Sequence, residues 1–202
     1  MCGNYLDIHR YAVYDQISSA NRLVHLACWA HCRRDFNDAL QALPKHARGP
    51  DQLAAQFMAL IGKLYAVESR GRDLKLEAEQ LLEQRQLHSV PVLKQMQALL
   101  ANLHSVLPGS LLGKALHYLS SQWPKLCLYV THGAYPIDNN ACENSIRPFV
   151  IGRRAWLFAD TVAGANASAN LYSLLQTCTG QIRQGAGADG AFAPHRPSLR
   201  PL

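Results

Sequence analysis

From Asp51 to Val130 the chain is written almost entirely in helical period, and this constrains its fold more than any other feature. "DQLAAQFMALIGKLYAVES" (51–69) carries apolar residues at three-and-four spacing behind an acidic cap at Asp51. "DLKLEAEQLLEQRQLHS" (73–89) is built of strong helix formers. "PVLKQMQALLANLHSVL" (91–107) opens with Pro91 at a first-turn position. "SLLGKALHYLSSQWPKLCLYV" (110–130) reads as one helix broken near Pro124, or as two. No fixed repeat period runs through these segments. They predict a helical bundle with a solvated, charged face.

The flanks differ. "YLDIH" (5–9) is short and β-like, and "YAVYDQISSA" (11–20) predicts a short helix or a turn. "RLVHLACWA" (22–30) predicts a buried strand. It passes into a helix over "HCRRDFNDALQAL" (31–43), which Pro44 and then Gly49-Pro50 end. "NASANLYSLLQTC" (166–178) is amphipathic, with Leu171, Leu174, Leu175 and Cys178 on one side. Beyond it, 179–202 has almost no periodic apolar residues and cannot offset its ordering entropy, so a disordered tail is expected there.

About half of the 202 residues are hydrophobic, enough for one large domain or two small ones. There are 20 Lys and Arg against 14 Asp and Glu, a net charge of +6. That balance suits a nucleic-acid partner, although many unrelated proteins share it. The six cysteines follow no framework spacing, no secretory signal opens the chain, and nothing approaches a membrane span. A cytoplasmic setting with free thiols is expected. "CWAHC" places Cys28, His31 and Cys32 close together. A closed zinc site takes four ligands in two separated pairs, and no second pair stands out. Buried thiols on a helix are the better reading.

The stretch "PIDNNACENSIRPFVIGRRAWLF" (136–158) admits two readings. In the structural one, Asn140 caps a helix with Glu143 at its third position, as in a capping box. Glu143 pairs with Arg147 four residues on, and Pro148 discourages continuation through Arg147. In the functional one, Glu143 is an oriented carboxylate beside Arg147, Arg153 and Arg154, which neutralise phosphates. Trp156 and Phe158 stack on bases or fill the core. A carboxylate among phosphate-binding arginines suggests phosphodiester chemistry with a hard cation such as Mg²⁺. Glu143 would be a metal ligand, and at least one more carboxylate must come from elsewhere.

"PIDNNACENSIRPFVIGRRAWLFADTVAGANASANLYSLLQT" resembles the C-terminal catalytic segment of transposases of the insertion-sequence-66 family. "ACWAHCRRDF" resembles a second block of that family, and "LPGSLLGKALHYLSSQWPKL" the helical stretch between them. The resemblance covers roughly residues 4 to 178. It implies a mainly α chain: an incomplete ribonuclease-H-like α/β core of about two short strands, with a large helical insertion. The expected division is a core remnant over 1–43, the insertion over 44–135, a catalytic helix segment over 136–178 and the tail over 179–202. The family uses an Asp-Asp-Glu triad to bind two divalent metals, Mg²⁺ or Mn²⁺, and to cut or join DNA. Glu143 falls on the triad glutamate.

The family's first Asp is expected to lie before this chain begins. Its second Asp falls on His9, within "HRYAVY" (9–14). Asp7 is an imperfect substitute, because two residues along a strand are about 6–7 Å. The change of character near Thr179 reads like the product of a reading-frame shift. The resemblance therefore implies a truncated, degenerate fragment of a DDE-type transposase that does not cleave DNA by itself or hold its metals productively. DNA is the expected partner, with a homo-oligomer admissible and no membrane. A non-catalytic DNA-binding or oligomerisation module remains open, as does, more weakly, a zinc protein on Cys28, His31 and Cys32.

Overall fold

The computed structural model describes residues 5–7, 24–101, 106–156 and 161–189. The chain is mainly helical. Two short strands, β1 (Tyr5–Asp7) and β2 (Val24–Leu26), pair in parallel, with Tyr5 opposite Val24 and Asp7 opposite Leu26. The segment expected as a helix or turn over 11–20 lies outside the described residues.

The strand expected over 22–30 is confined to Val24–Leu26, because helix α1 (Trp29–Gln41) starts earlier than periodicity suggests. Cys28 is extended and forms the N-cap. Trp29 is fully buried, and its indole N–H donates to the Leu126 carbonyl at 2.9 Å. That buried indole needs the partner. Arg48 closes the other end of α1, donating to the carbonyls of Gln41 (2.7 Å) and Leu43 (2.9 Å).

Helix α2 (Leu53–Asp73) has Gln52, not Asp51, as its N-cap, and no side chain caps it. Asp51 instead accepts at its backbone carbonyl from the Gln56 side chain. The far end is a Schellman turn: Leu76 N–H donates to Gly71 O and Lys75 N–H to Arg72 O. Lys75 takes the left-handed position, φ 50°, that glycine usually fills.

Two separate helices were expected over 73–89 and 91–107. The chain instead runs from α3 (Ala78–Gln84) through a π turn (Arg85–Ser89) into α4 (Val90–Ala101). Val90 N–H donates to Arg85 O, a reach of five residues. Pro91 has no N–H and its ring crowds the preceding turn. The wider turn lets one helical path pass the proline, so Pro91 does not begin a new helix.

Helix α5 (Leu111–Cys127) is capped by Ser110, whose hydroxyl accepts from Gly113 N–H at 3.0 Å. Pro124 lies inside it without breaking it. The carbonyls of its last turn find partners outside the helix: Lys125 O accepts from Ala27 N–H and Leu126 O from Trp29. A 3₁₀ stretch, Leu128–Thr131, follows. Helix α6 covers Asn140–Trp156 and α7 Val162–Asp189. The tail expected to be disordered from 179 is thus helical as far as Asp189; local helix-forming residues such as Gln181, Ile182, Arg183 and Gln184 extend α7 without periodic apolar support.

The chain divides into two compact units, Met1–Asn140 and Ala141–Leu202. In the first, α1 packs on α2 and α5 around one continuous core. Phe36 stacks on Phe57 at 4.7 Å, and Trp29 meets Trp123 edge-on at 6.4 Å. Residues expected in a nuclease-core remnant (Trp29, Phe36) and in a helical insertion (Phe57, Leu64, Leu119) share that core. In the second unit Leu171, Leu174, Leu175 and Cys178 are exposed. No helix among the described residues is long and apolar enough to cross a membrane.

Candidate functional site

The turn that leads into α6 is held from below by the core. Ile137 is buried, and its carbonyl accepts from the backbone N–H of Trp29 at 3.2 Å. Asn139 is buried too, and its side-chain oxygen accepts from the Cys28 thiol at 3.1 Å. A buried amide needs such a partner, and Cys28 can supply it because it is the extended residue opening α1. Between them, Asp138 accepts three hydrogen bonds. Asn140 N–H donates to Oδ1 (3.1 Å), the Asn140 side-chain amide to Oδ2 (2.9 Å), and the Tyr65 hydroxyl to Oδ2 (2.7 Å). Side chains from α1, α2 and the turn therefore fix where α6 begins.

Burial, then the hydrogen bond to Asp138, pushes the Tyr65 phenol well above its ordinary range. Burial does the same to Tyr129, and raises the Cys127 thiol to about 11. In the unfolded chain both phenols ionise near 10.0. A group whose folded pKa is raised stabilises fully below its unfolded pKa and loses that contribution as pH rises past it. The urea midpoint should therefore fall as pH is taken from about 9 to 11, and fall less in Tyr65→Phe. An identical decline in Tyr65→Phe and wild type would contradict the coupling.

A groove of about 300 Å³ opens beside this turn, lined in part by Arg33, Arg34, Asn37, Tyr65 and Asn140. The Arg33 guanidinium lies over the Tyr65 ring, 5.8 Å from its centroid.

Glu143 lies in the first turn of α6 and is half-buried. Asn140 is the first residue of that helix, and its side chain donates to Asp138; the cap at this end is contributed by Asp138. Arg147 is exposed one turn beyond Glu143. Pro148 does not stop the helix, which continues to Trp156. Asn144, whose carbonyl loses its usual donor to the proline, is exposed, so solvent can take that donor's place. Arg153 and Arg154 fall in the last turn of α6. Asp7 ends β1 opposite Leu26. His9 and Phe158 lie outside the described residues.

Among the described residues no three His, Cys, Asp or Glu side chains converge so as to hold a cation. Cys28 and Cys32 are buried in the core, and the Cys28 thiol donates to Asn139. Sequence reasoning missed Tyr65, Asp138 and Asn139 as a cluster. Tyr65 stands in "KLYAV" and Asp138 and Asn139 in "IDNN", and nothing in periodicity joins them.

Residues 4–167 match the Transposase IS66 family. The chain belongs to the IS66 transposase family. Two proteins of Sinorhizobium fredii (strain NBRC 101917 / NGR234) are similar. Uncharacterized protein y4qI is 31% identical over 182 residues, covering 86% of this chain and 32% of the relative. Uncharacterized protein y4jD is 30% identical over 151 residues, covering 74% of this chain and 28% of the relative. The chain thus spans about a third of the length of these relatives. No solved structure matches it.

Proposed function

We propose that the chain is the C-terminal catalytic segment of a DDE-type IS66 transposase, which binds DNA but does not cut or join strands by itself. The family match over residues 4–167 carries this reading. In it, β1 and β2 belong to a ribonuclease-H-like core, Glu143 is the triad glutamate, and Arg147, Arg153 and Arg154 contact DNA phosphates. The position of Glu143 in the first turn of α6 supports its role, since a carboxylate on a helix has a defined direction relative to that helix. When bound, Mg²⁺ or Mn²⁺ would polarise the phosphodiester and activate the attacking oxygen. His9 in place of a carboxylate weakens the site, as hard Mg²⁺ prefers oxygen ligands.

Supercoiled plasmid incubated with the chain and either metal should stay intact, as it should with Glu143→Gln. Nicking by the wild type that disappears in Glu143→Gln would falsify the inactive reading and establish Glu143 as catalytic. Nicking by both proteins marks a contaminant.

A further inference from the structure

We infer that the groove between α1 and α2 grips the sugar-phosphate backbone of DNA, with Arg33 and Arg34 as the neutralising cations and Asn37 and Asn140 as neutral hydrogen-bonding partners. The inference deepens the DNA-binding reading above and rests on it. Both arginines are exposed on consecutive positions of α1, and both line the groove with Asn37 and Asn140. None of the described lining residues is acidic.

Asp138 is a carboxylate tied to the lining, bonded to both Tyr65 and Asn140. Its three donors spread its charge, so it repels an incoming phosphate less than a bare carboxylate would. Those same bonds orient the groove. Tyr65 commits its proton to Asp138, which holds the ring, and the ring holds Arg33 through its face. A guanidinium held by its flat side keeps its in-plane N–H groups for a phosphate.

The ligand is backbone and not base. Tyr65, the aromatic ring among the described lining residues, already carries Arg33 on a face, so it is a poor stacking platform. Arginine and amide donors on an open groove read phosphates, which fixes register without reading sequence. Asn140 is also the first residue of α6, where the helix dipole favours an anion. Glu143 stands in the first turn of that helix. Phosphate held at Asn140 is thereby held at the head of the helix that carries the triad glutamate.

Anisotropy titrations of a short labelled duplex with the full chain, repeated over a salt series, test this. Each neutralised phosphate contributes a slope of about 0.9 in log K against log salt. Arg33→Gln/Arg34→Gln should lower the slope by roughly 1.8 and weaken binding at least about tenfold at low salt. Both side chains are exposed, so the variant should fold, which its urea midpoint checks. Arg147→Gln/Arg153→Gln/Arg154→Gln is run in parallel. If the triple variant loses slope and the double variant keeps both slope and affinity, the groove inference is wrong while the wider DNA reading stands. If wild type does not bind DNA at low salt, both fall. Scrambling the duplex sequence should leave all slopes unchanged, and a sequence-dependent loss in the double variant would overturn the backbone assignment.

Discussion

Arg85→Ala is expected to destabilise the first unit by about 3–5 kcal/mol, the scale for stripping one partner from a buried ion pair. Arg85 is 1% exposed, in the π turn between α3 and α4. Its fork grips Glu68 of α2 twice, Nε to Oε1 at 2.8 Å and Nη2 to Oε2 at 2.7 Å. Nη1 donates to the carbonyls of Tyr129, His132 and Gly133. The guanidinium also lies over the Tyr129 ring at 5.1 Å. One side chain thus joins α2, the π turn and the segment that leads from α5 to the Asp138 turn. Removing it strands a buried carboxylate and leaves three carbonyls short of a donor. With a urea slope of about 1–3 kcal/mol per molar, the midpoint should drop by about 1 M or more. Arg85→Met combined with Glu68→Leu should recover part of the loss, since no buried charge is then left alone. A single variant with an unchanged midpoint would mean that water compensates the pair.

The helices were legible because their cause is local. Apolar residues at three-and-four spacing predicted α2 and α5, and the core proves to be Phe57, Leu60, Ile61, Leu64, Ala115, Leu116 and Leu119 on those stripes. Departures occur where a distant partner or a special backbone decides. Trp29 reads as the end of an apolar strand, yet its indole bonds Leu126, 97 residues away, and it starts a helix. Pro91 reads as a helix start, yet a π turn carries the chain past it. Gly71 and Lys75 end α2 by a turn whose left-handed residue is lysine, which composition does not flag. The site was legible only in part. Glu143 in a first turn follows from its local sequence. The bonds that hold that turn do not, because Tyr65 lies 73 residues from Asp138 and Cys28 lies 111 from Asn139. Arg33 and Arg34 look like an ordinary solvated helix face until Asn140 and Tyr65 are seen to close a groove beside them.

Gly133→Ala should be the other severe substitution, and its cause is contact, not conformational freedom. A Cβ at Gly133 would penetrate the carbonyl oxygen and carbon of Ala78 and come within 2.8 Å of its Cα. All three are backbone atoms at the start of α3, so no rotamer change can make room. Either the first turn of α3 shifts or the loop at 132–134 withdraws. Overpacking of this kind costs about 1–3 kcal/mol and more where backbone must move. The upper part of that range is expected here, because withdrawal also pulls the His132 and Gly133 carbonyls from Arg85. The two effects share one network, so they should not add. Gly133→Ala placed on Arg85→Ala should cost less than on wild type, since the carbonyl–guanidinium bonds are already gone. The same loop runs on through Tyr135 into Asp138, so its withdrawal should loosen the head of α6 as well. Amide exchange at Asn140 and Ala141 reads this directly and should quicken in Gly133→Ala while the exchange of buried α2 amides such as Ile61 and Leu64 changes less. Uniform quickening at both places would mean that the substitution only lowers global stability. An unchanged midpoint with unchanged exchange would show that α3 yields freely to the added methyl.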